Sequence, residues 1–200
     1  MSSVDLENLK KLDYPPLTED LEEAKEHLDI YGLALVKNVL SNEEVSEMDV
    51  RLTEQFHGEE KNKVGSKVRG DEGLGVESSE EDKVSRLVWN LVNKGDCFLK
   101  LIDHPKILPL IQHIIGERVC LCSMGAHMNG SGNERMALHQ DQWPLVPHPM
   151  EFPFMANVMY LISDNSPENG GTRLIPGSHK WPVIDYRTAN SEKIQEMAKS

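Results

Sequence analysis

The spacing of apolar residues changes at Gly116, and this change constrains the fold more than any other feature of the sequence. Before Gly116, apolar residues recur at the three- and four-residue intervals of amphipathic helices. After it come short apolar or alternating runs separated by glycine, asparagine and proline, a rhythm typical of antiparallel strands. The sequence therefore predicts a single α+β domain, with a helical layer over residues 1–116 and a β core over residues 117–200.

The boundaries of the individual elements are predicted from local signals. Thr18 is a suitable N-cap for a first helix that ends at Gly32, and Ser41 forms a capping box with Glu44 at the start of a second helix. We expect a strand at 33–39, a long mobile loop at 57–82 and helices at 84–94 and 106–115. The predicted strands of the β core are 119–128, 136–142, 154–162 and 172–175.

The charge balance argues against two classes of partner. The 200 residues include 33 acidic and 21 basic side chains, for a net charge of −12. Nucleic acids and anionic membranes both reward clustered lysine and arginine, so neither is expected as the main partner. No run approaches the roughly 18 apolar residues of a membrane span, and the polar N-terminus lacks the regions of a secretory signal. We therefore expect a cytoplasmic protein with a small-molecule substrate; a peroxisomal location and the oligomeric state stay open.

The three cysteines are interpreted as small buried apolar residues in a reducing compartment. Cys120 and Cys122 are two residues apart on a predicted strand, which is a poor geometry for a disulfide. If they did pair, Cys97 would have no cysteine left to pair with. A Cys-x-Cys motif without a second pair is also a weak signal for zinc.

The strongest candidate site is the pair formed by His139 and Asp141. In a strand, side chains at i and i+2 point to the same face, so an imidazole and a carboxylate would lie side by side. Non-haem Fe(II) oxygenases bind iron through two histidines and one carboxylate, and they leave positions open for substrate and O₂. The spacing alone is a weak signal, because a surface histidine beside an aspartate would give the same motif.

Two longer segments give this motif a context. Residues 168–182 read Glu-Asn-Gly-Gly-Thr-Arg-Leu-Ile-Pro-Gly-Ser-His-Lys-Trp-Pro, and residues 31–45 read Tyr-Gly-Leu-Ala-Leu-Val-Lys-Asn-Val-Leu-Ser-Asn-Glu-Glu-Val. Together with the His-x-Asp motif, they resemble the phytanoyl-CoA dioxygenase family over roughly residues 28–185. The resemblance implies a double-stranded β-helix (a jelly roll, cupin-like) that binds Fe(II) and uses 2-oxoglutarate and O₂. It further implies release of succinate and CO₂ while a small organic or lipid-like substrate is hydroxylated.

The resemblance also implies roles for individual residues. His139 and Asp141 match the first two iron ligands and the catalytic centre. Halogenating relatives carry a small residue at the carboxylate position, so Asp141 favours oxygenation. Asn157 and Thr172 are candidates for binding 2-oxoglutarate; a solvated polar side chain and a cross-strand hydrogen bond are equally good interpretations of them. His179 is expected to be structural, because it lies in a Pro-Gly-Ser-His turn.

Part of the family pattern is not found in this sequence. In the family, a second iron-binding histidine and an arginine that pairs with 2-oxoglutarate lie on strands beyond the Pro-Gly-Ser-His segment. We therefore expect residues 1–200 to be an N-terminal fragment whose jelly roll lacks its C-terminal strands, inactive and prone to aggregate when expressed alone. Two alternatives stay open. The chain could be an inactive scaffold or binding module of the same fold, or a cupin-like metal enzyme that uses His139, Asp141 and water.

Overall fold

The computed structural model describes residues 12–68, 85–129, 138–139, 141, 152–181 and 192–198. These residues form a mixture of helices and short strands, as predicted. The helices are α1 (Leu21–Tyr31), α2 (Asn42–Lys61), α3 (Asp96–Leu99), α4 (Leu108–Ile115) and α5 (Glu192–Met197). The strands are β1 (Leu17–Thr18), β2 (Leu35–Val36), β3 (Ser66–Val68), β4 (Ser85–Val88) and β5 (Ala126–Met128). Three-residue 3-10 helices lie at Leu91–Asn93, Pro167–Asn169 and Ser178–Lys180.

Helix α1 begins two residues later than the sequence predicted. Its N-cap is Asp20, whose carboxylate accepts hydrogen bonds from the backbone N–H groups of Glu22 (2.8 Å) and Glu23 (3.1 Å). Thr18 was wrongly predicted as the cap, because it pairs in β1 and its hydroxyl accepts a hydrogen bond from the Asp20 N–H at 3.0 Å. The predicted end is confirmed, since Gly32 follows the helix with φ of +75°.

Helix α2 has the predicted capping box but runs further than expected. The Ser41 N–H donates to Glu44 Oε2 at 2.8 Å, and the Glu44 N–H donates to Ser41 Oγ at 3.2 Å. The helix continues to Lys61 and β3 follows, so the predicted loop at 57–82 is wrong over these residues. Glu59 stabilises this last part, because it accepts a hydrogen bond from Gln55 and binds Lys94 at 3.2 Å. Residues 69–82 lie outside the described residues.

The helix predicted at 84–94 is wrong, because its first part is a strand. β4 is the central strand of an antiparallel three-stranded sheet, in which Leu87 is opposite Ser66 of β3 and opposite His127 of β5. Leu87 and Val88 are both buried, so both faces of β4 are covered. An apolar run that is buried on both faces has no alternation, and its spacing cannot be told from that of a buried helix.

Most of the other predicted elements were found over shorter lengths or not at all. The strand predicted at 136–142 lies largely outside the described residues, and within it Asp141 is in a turn. The strand at 33–39 is present as β2, which runs parallel to β1, and the helix at 106–115 is confirmed as α4. Of the strand predicted at 119–128, only β5 is paired. The segments 154–162 and 172–175 are not paired into a sheet in the structure, so they were wrongly predicted as strands. Alternation of apolar and polar residues is compatible with a strand, but a strand also requires a neighbouring strand to pair with. The jelly roll therefore stays a prediction.

The hydrophobic core lies between α2 and the chain that runs from β4 through α3. Among the described residues, Phe98 is the largest side chain that is almost fully buried, with 2% of its surface exposed. The buried members of the core are Met48, Leu52, Phe56, Val88, Leu91, Cys97, Phe98 and Leu101. Leu40, Met124, Ala126, Tyr160 and Ile162 pack against them from the periphery. No helix among the described residues is both long enough and apolar enough to span a membrane.

The cysteines differ in their environments. Cys97 is buried, as predicted, and its burial raises the pKa of its thiol. Cys120 and Cys122 are exposed, so the prediction that they are buried is wrong. The segment between α4 and β5 that carries them is unpaired and leaves them at the surface.

The N-terminal segment and α1 form hydrogen bonds with residues 174–177, which precede the last 3-10 helix. The Tyr14 hydroxyl donates to the Leu174 carbonyl at 3.0 Å and accepts from the Leu174 N–H at 3.1 Å. The Gly177 N–H donates to the carbonyl of Tyr31, the last residue of α1, at 2.7 Å. These contacts attach the Pro-Gly-Ser-His turn to the helical layer.

Candidate metal centre

His139 and Asp141 contact each other directly. Nε2 of His139 is 3.1 Å from Oδ1 of Asp141. The two side chains are 50% and 51% exposed, respectively, so an ion from solvent can reach both donor atoms. The structure thus brings together the two residues that the sequence predicted as metal ligands.

The distance between the two donor atoms fits a shared divalent ion. Ligand nitrogen and oxygen atoms lie about 2.1 Å from such an ion, and two of them at a right angle are then about 3.0 Å apart. An imidazole nitrogen and a carboxylate oxygen also match part of the donor set of non-haem Fe(II) sites. Within the parts of the chain that the structure describes, no third histidine, cysteine or acidic residue completes such a group. The pair therefore fits as two of the ligands of an iron centre.

The carboxylate of Asp141 has a second partner. Nδ2 of Asn157 donates a hydrogen bond to Oδ2 of Asp141 at 2.5 Å. The hydrogen bond with His139, the charge of His139 and the hydrogen bond from Asn157 lower the pKa of Asp141, against the opposing effect of partial burial. Asp141 is therefore a carboxylate at neutral pH, which is the form that binds metal ions.

Tyr160 positions the segment that carries Asn157. Its hydroxyl donates to the Leu101 carbonyl at 2.9 Å, its ring makes an edge contact with His104, and burial raises its pKa to about 12. Ile162 packs against the core beside it, whereas Asn157 is exposed. This hydrogen bond was not predicted from the sequence. The signal for it was a tyrosine among apolar residues, since a buried hydroxyl usually has a hydrogen-bond partner.

The loop that precedes Thr172 has a fixed conformation. The Ser166 N–H donates to Asn169 Oδ1 at 2.8 Å, and the Gly171 N–H donates to the Ser166 carbonyl at the same distance. A Cβ at Gly171 would lie 2.7 Å from that carbonyl oxygen, so the tight loop requires glycine there. Thr172 follows the loop and is exposed. Of the four predicted site residues, His139, Asp141 and Asn157 are joined by direct contacts. Thr172 follows the loop and is not among the residues that these contacts join.

His179 contacts the end of helix α1. His179 is in the last 3-10 helix, where its Nε2 is 3.3 Å from the Asp29 carbonyl oxygen. Its ring packs directly against Gly32, so closely that a Cβ at Gly32 would overlap it. His127 lies in β5, opposite Leu87. His148 lies outside the described residues.

Replacement of His179 with alanine is expected to reduce stability and spare metal binding. The change removes the contact with α1, and we expect a loss of about 1 kcal/mol in the free energy of unfolding from the hydrogen bond alone. Urea unfolding and iron content would be measured together, with His57→Ala, an exposed histidine on α2, as the control. Loss of iron from a folded His179→Ala protein would contradict the structural role.

Comparisons with known proteins point to one family. The family model described as phytanoyl-CoA dioxygenase matches residues 28–199. Dioxygenase af480 of Aspergillus fumigatus is 28% identical over 165 residues, which cover 82% of this chain and 51% of that protein. A probable alpha-ketoglutarate-dependent hypophosphite dioxygenase of Stutzerimonas stutzeri is 27% identical over 85% of this chain and 57% of its own length. Dioxygenase sphC of Aspergillus fumigatus is 24% identical over 81% of this chain and 46% of its length.

Two further facts define the extent of the likeness. The chain spans about half the length of these curated relatives. No solved structure matches the chain significantly. The family match covers most of the chain, and the relatives are named as dioxygenases, so the resemblance noted in the sequence is confirmed. The chain belongs to the phytanoyl-CoA dioxygenase family.

Proposed function

We propose that this protein is a non-haem Fe(II)/2-oxoglutarate-dependent dioxygenase whose iron is held by His139 and Asp141. The observation that carries the proposal is the 3.1 Å contact between His139 Nε2 and Asp141 Oδ1, in a chain that belongs to a dioxygenase family. One relative is itself named as alpha-ketoglutarate-dependent, which supports 2-oxoglutarate as the co-substrate.

The roles of the residues follow from their chemistry. The iron, when bound, would activate O₂ for the oxidation of 2-oxoglutarate to succinate and CO₂ and the hydroxylation of a second substrate. His139 supplies a neutral nitrogen donor, and Asp141 supplies an anionic oxygen donor that offsets part of the charge of the ion. Thr172 is proposed to line the co-substrate end of the pocket. The third ligand and an arginine for 2-oxoglutarate are proposed to lie in the half of the relatives' length that this chain does not span.

The substrate is proposed to be a small organic or lipid-like molecule. Met159 and Leu161 lie in the same exposed segment as Asn157. Their side chains are 56% and 54% exposed, respectively, which places apolar surface on this face. Apolar side chains around a few polar groups are typical of small-molecule sites.

The test is Fe(II)-dependent succinate formation by the full-length gene product. The protein would be incubated with Fe(II), ascorbate, 2-oxoglutarate and O₂, and succinate would be measured with and without a panel of fatty acyl-CoA esters, small apolar acids and hypophosphite. We expect succinate only when both iron and O₂ are present, and faster formation with an organic member of the panel. A folded protein that binds iron and forms no succinate under any of these conditions would instead be an inactive binding module.

A further inference from the structure

The two oxygen atoms of the Asp141 carboxylate have different partners. Oδ1 is 3.1 Å from Nε2 of His139, whereas Oδ2 accepts the hydrogen bond from Nδ2 of Asn157 at 2.5 Å. The carboxylate therefore has one oxygen on the side of the proposed iron ligand and one oxygen occupied by an amide. Asn157 is 16 residues further along the chain, so this contact does not come from local backbone geometry.

This arrangement favours one way for the carboxylate to bind an ion. The hydrogen bond from Asn157 uses an acceptor position of Oδ2 and fixes the orientation of the carboxylate, which favours binding of the ion through Oδ1. An oxygenase centre of this type needs open positions for O₂ and its co-substrate. An amide is suited to orient the carboxylate, because it donates a hydrogen bond without adding a charge beside it.

The hydrogen-bond donor is itself held in place. Asn157 precedes Tyr160 by three residues, and the Tyr160 hydroxyl is bonded to the Leu101 carbonyl at the edge of the core. Ile162 adds a second contact with the core on the same face of the segment. The core thus positions the backbone from which the Asn157 amide reaches Asp141.

We propose that Asn157 is a positioning residue that orients the Asp141 carboxylate with Oδ1 toward the ion held with His139. The proposal rests on the proposed function, because it requires iron at this pair. It differs from the sequence-based expectation for Asn157, since the amide nitrogen acts on the protein ligand rather than on 2-oxoglutarate. Outer-shell partners of this kind affect metal affinity by about 10- to 100-fold.

The experiment is an anaerobic titration of the full-length gene product with Co(II), which reports binding through its visible absorption and needs no turnover. Asn157→Leu and Asn157→Ala both remove the donor, the first with similar side-chain size and the second without apolar bulk. We expect each to weaken Co(II) binding by about 10- to 100-fold. Asn157→Gln keeps an amide donor on an exposed side chain and is expected to recover most of the affinity.

The matched control is Asn62→Leu. Asn62 is also exposed and also donates a side-chain hydrogen bond, to the Gly58 carbonyl at 2.7 Å, but it lies at the end of α2. Its replacement is expected to leave Co(II) affinity unchanged, which separates an effect on Asp141 from the general loss of one surface hydrogen bond. Far-ultraviolet circular dichroism would verify that each variant is folded.

Asp141→Ala separates failure of this inference from failure of the proposed function. If Asp141→Ala loses Co(II) binding while Asn157→Leu and Asn157→Ala bind as tightly as the wild type, the role of Asn157 is wrong and the proposed iron site stands. If Asp141→Ala also binds Co(II) like the wild type, the iron site itself is wrong and the inference fails with it. Weak binding in both donor-free variants, with recovery in Asn157→Gln, would support the inference.

Discussion

Replacing Asp141 with alanine is expected to reduce 2-oxoglutarate-dependent succinate formation by at least about 100-fold. Loss of a residue that only contacts a metal ligand costs up to about 100-fold, and loss of the ligand itself should cost no less. The change removes the only anionic donor of the proposed pair and leaves His139 without its neighbour at 3.1 Å. The measurement is succinate formation with saturating Fe(II) and 2-oxoglutarate.

The control for this change is Asp103→Ala. Asp103 is an exposed aspartate in the turn that follows α3, remote in sequence from the proposed ligands. Its replacement is expected to leave succinate formation unchanged. Equal turnover and equal iron content in Asp141→Ala and Asp103→Ala would mean that iron is held by other residues.

Replacing Phe98 with alanine is expected to lower the free energy of unfolding by about 3–5 kcal/mol. The ring is only 2% exposed and packs in the core between α2 and the segment from β4 to α3. Its removal would leave a cavity that the surrounding side chains fill only in part. Urea unfolding followed by circular dichroism gives the free energy directly.

Phe152→Ala is the matched control, because the Phe152 side chain is 67% exposed. The same change in residue type there is expected to cost much less than at Phe98, since little buried surface is lost. A similar loss of stability at both positions would contradict the location of the core.

Short-range signals predicted the helix ends well where a single residue could serve as the cap. Ser41 and Glu44 are three residues apart, and their capping box is set by this spacing alone. Thr18 and Asp20 are both good cap residues, and the choice between them depends on the pairing of β1 with β2. That pairing joins segments on either side of α1, so the sequence near the cap does not reveal it.

The strands were harder to predict because a strand depends on its neighbours. The apolar run around Leu87 has the spacing of a helix, yet it is the central strand of a sheet with β3 and β5. Conversely, the alternation at 154–162 predicted a strand, but the segment is not paired in the structure. Alternation thus predicted neither the pairing nor the exposure of Val158.

In the candidate site, too, contacts between residues close in sequence were easier to predict than contacts between distant ones. The contact between His139 and Asp141 was expected from a strand, in which side chains two residues apart share a face. The contact is present, but Asp141 lies in a turn, so the strand was the wrong basis for it. The hydrogen bond from Asn157 to Asp141 depends on how the core positions the segment anchored by Tyr160, and no local signal encodes it. The third ligand stays unassigned, since the described residues hold no group of three suitable donors.

The central claim is that His139 and Asp141 together bind iron. It is tested most directly by anaerobic equilibrium dialysis of the full-length gene product against Fe(II), followed by iron analysis of the retained protein. The wild type is expected to retain one iron per chain, and a folded variant with both His139→Ala and Asp141→Ala is expected to retain almost none, because both donors in contact at 3.1 Å are gone. Equal iron content in the wild type and in the double variant would contradict the claim.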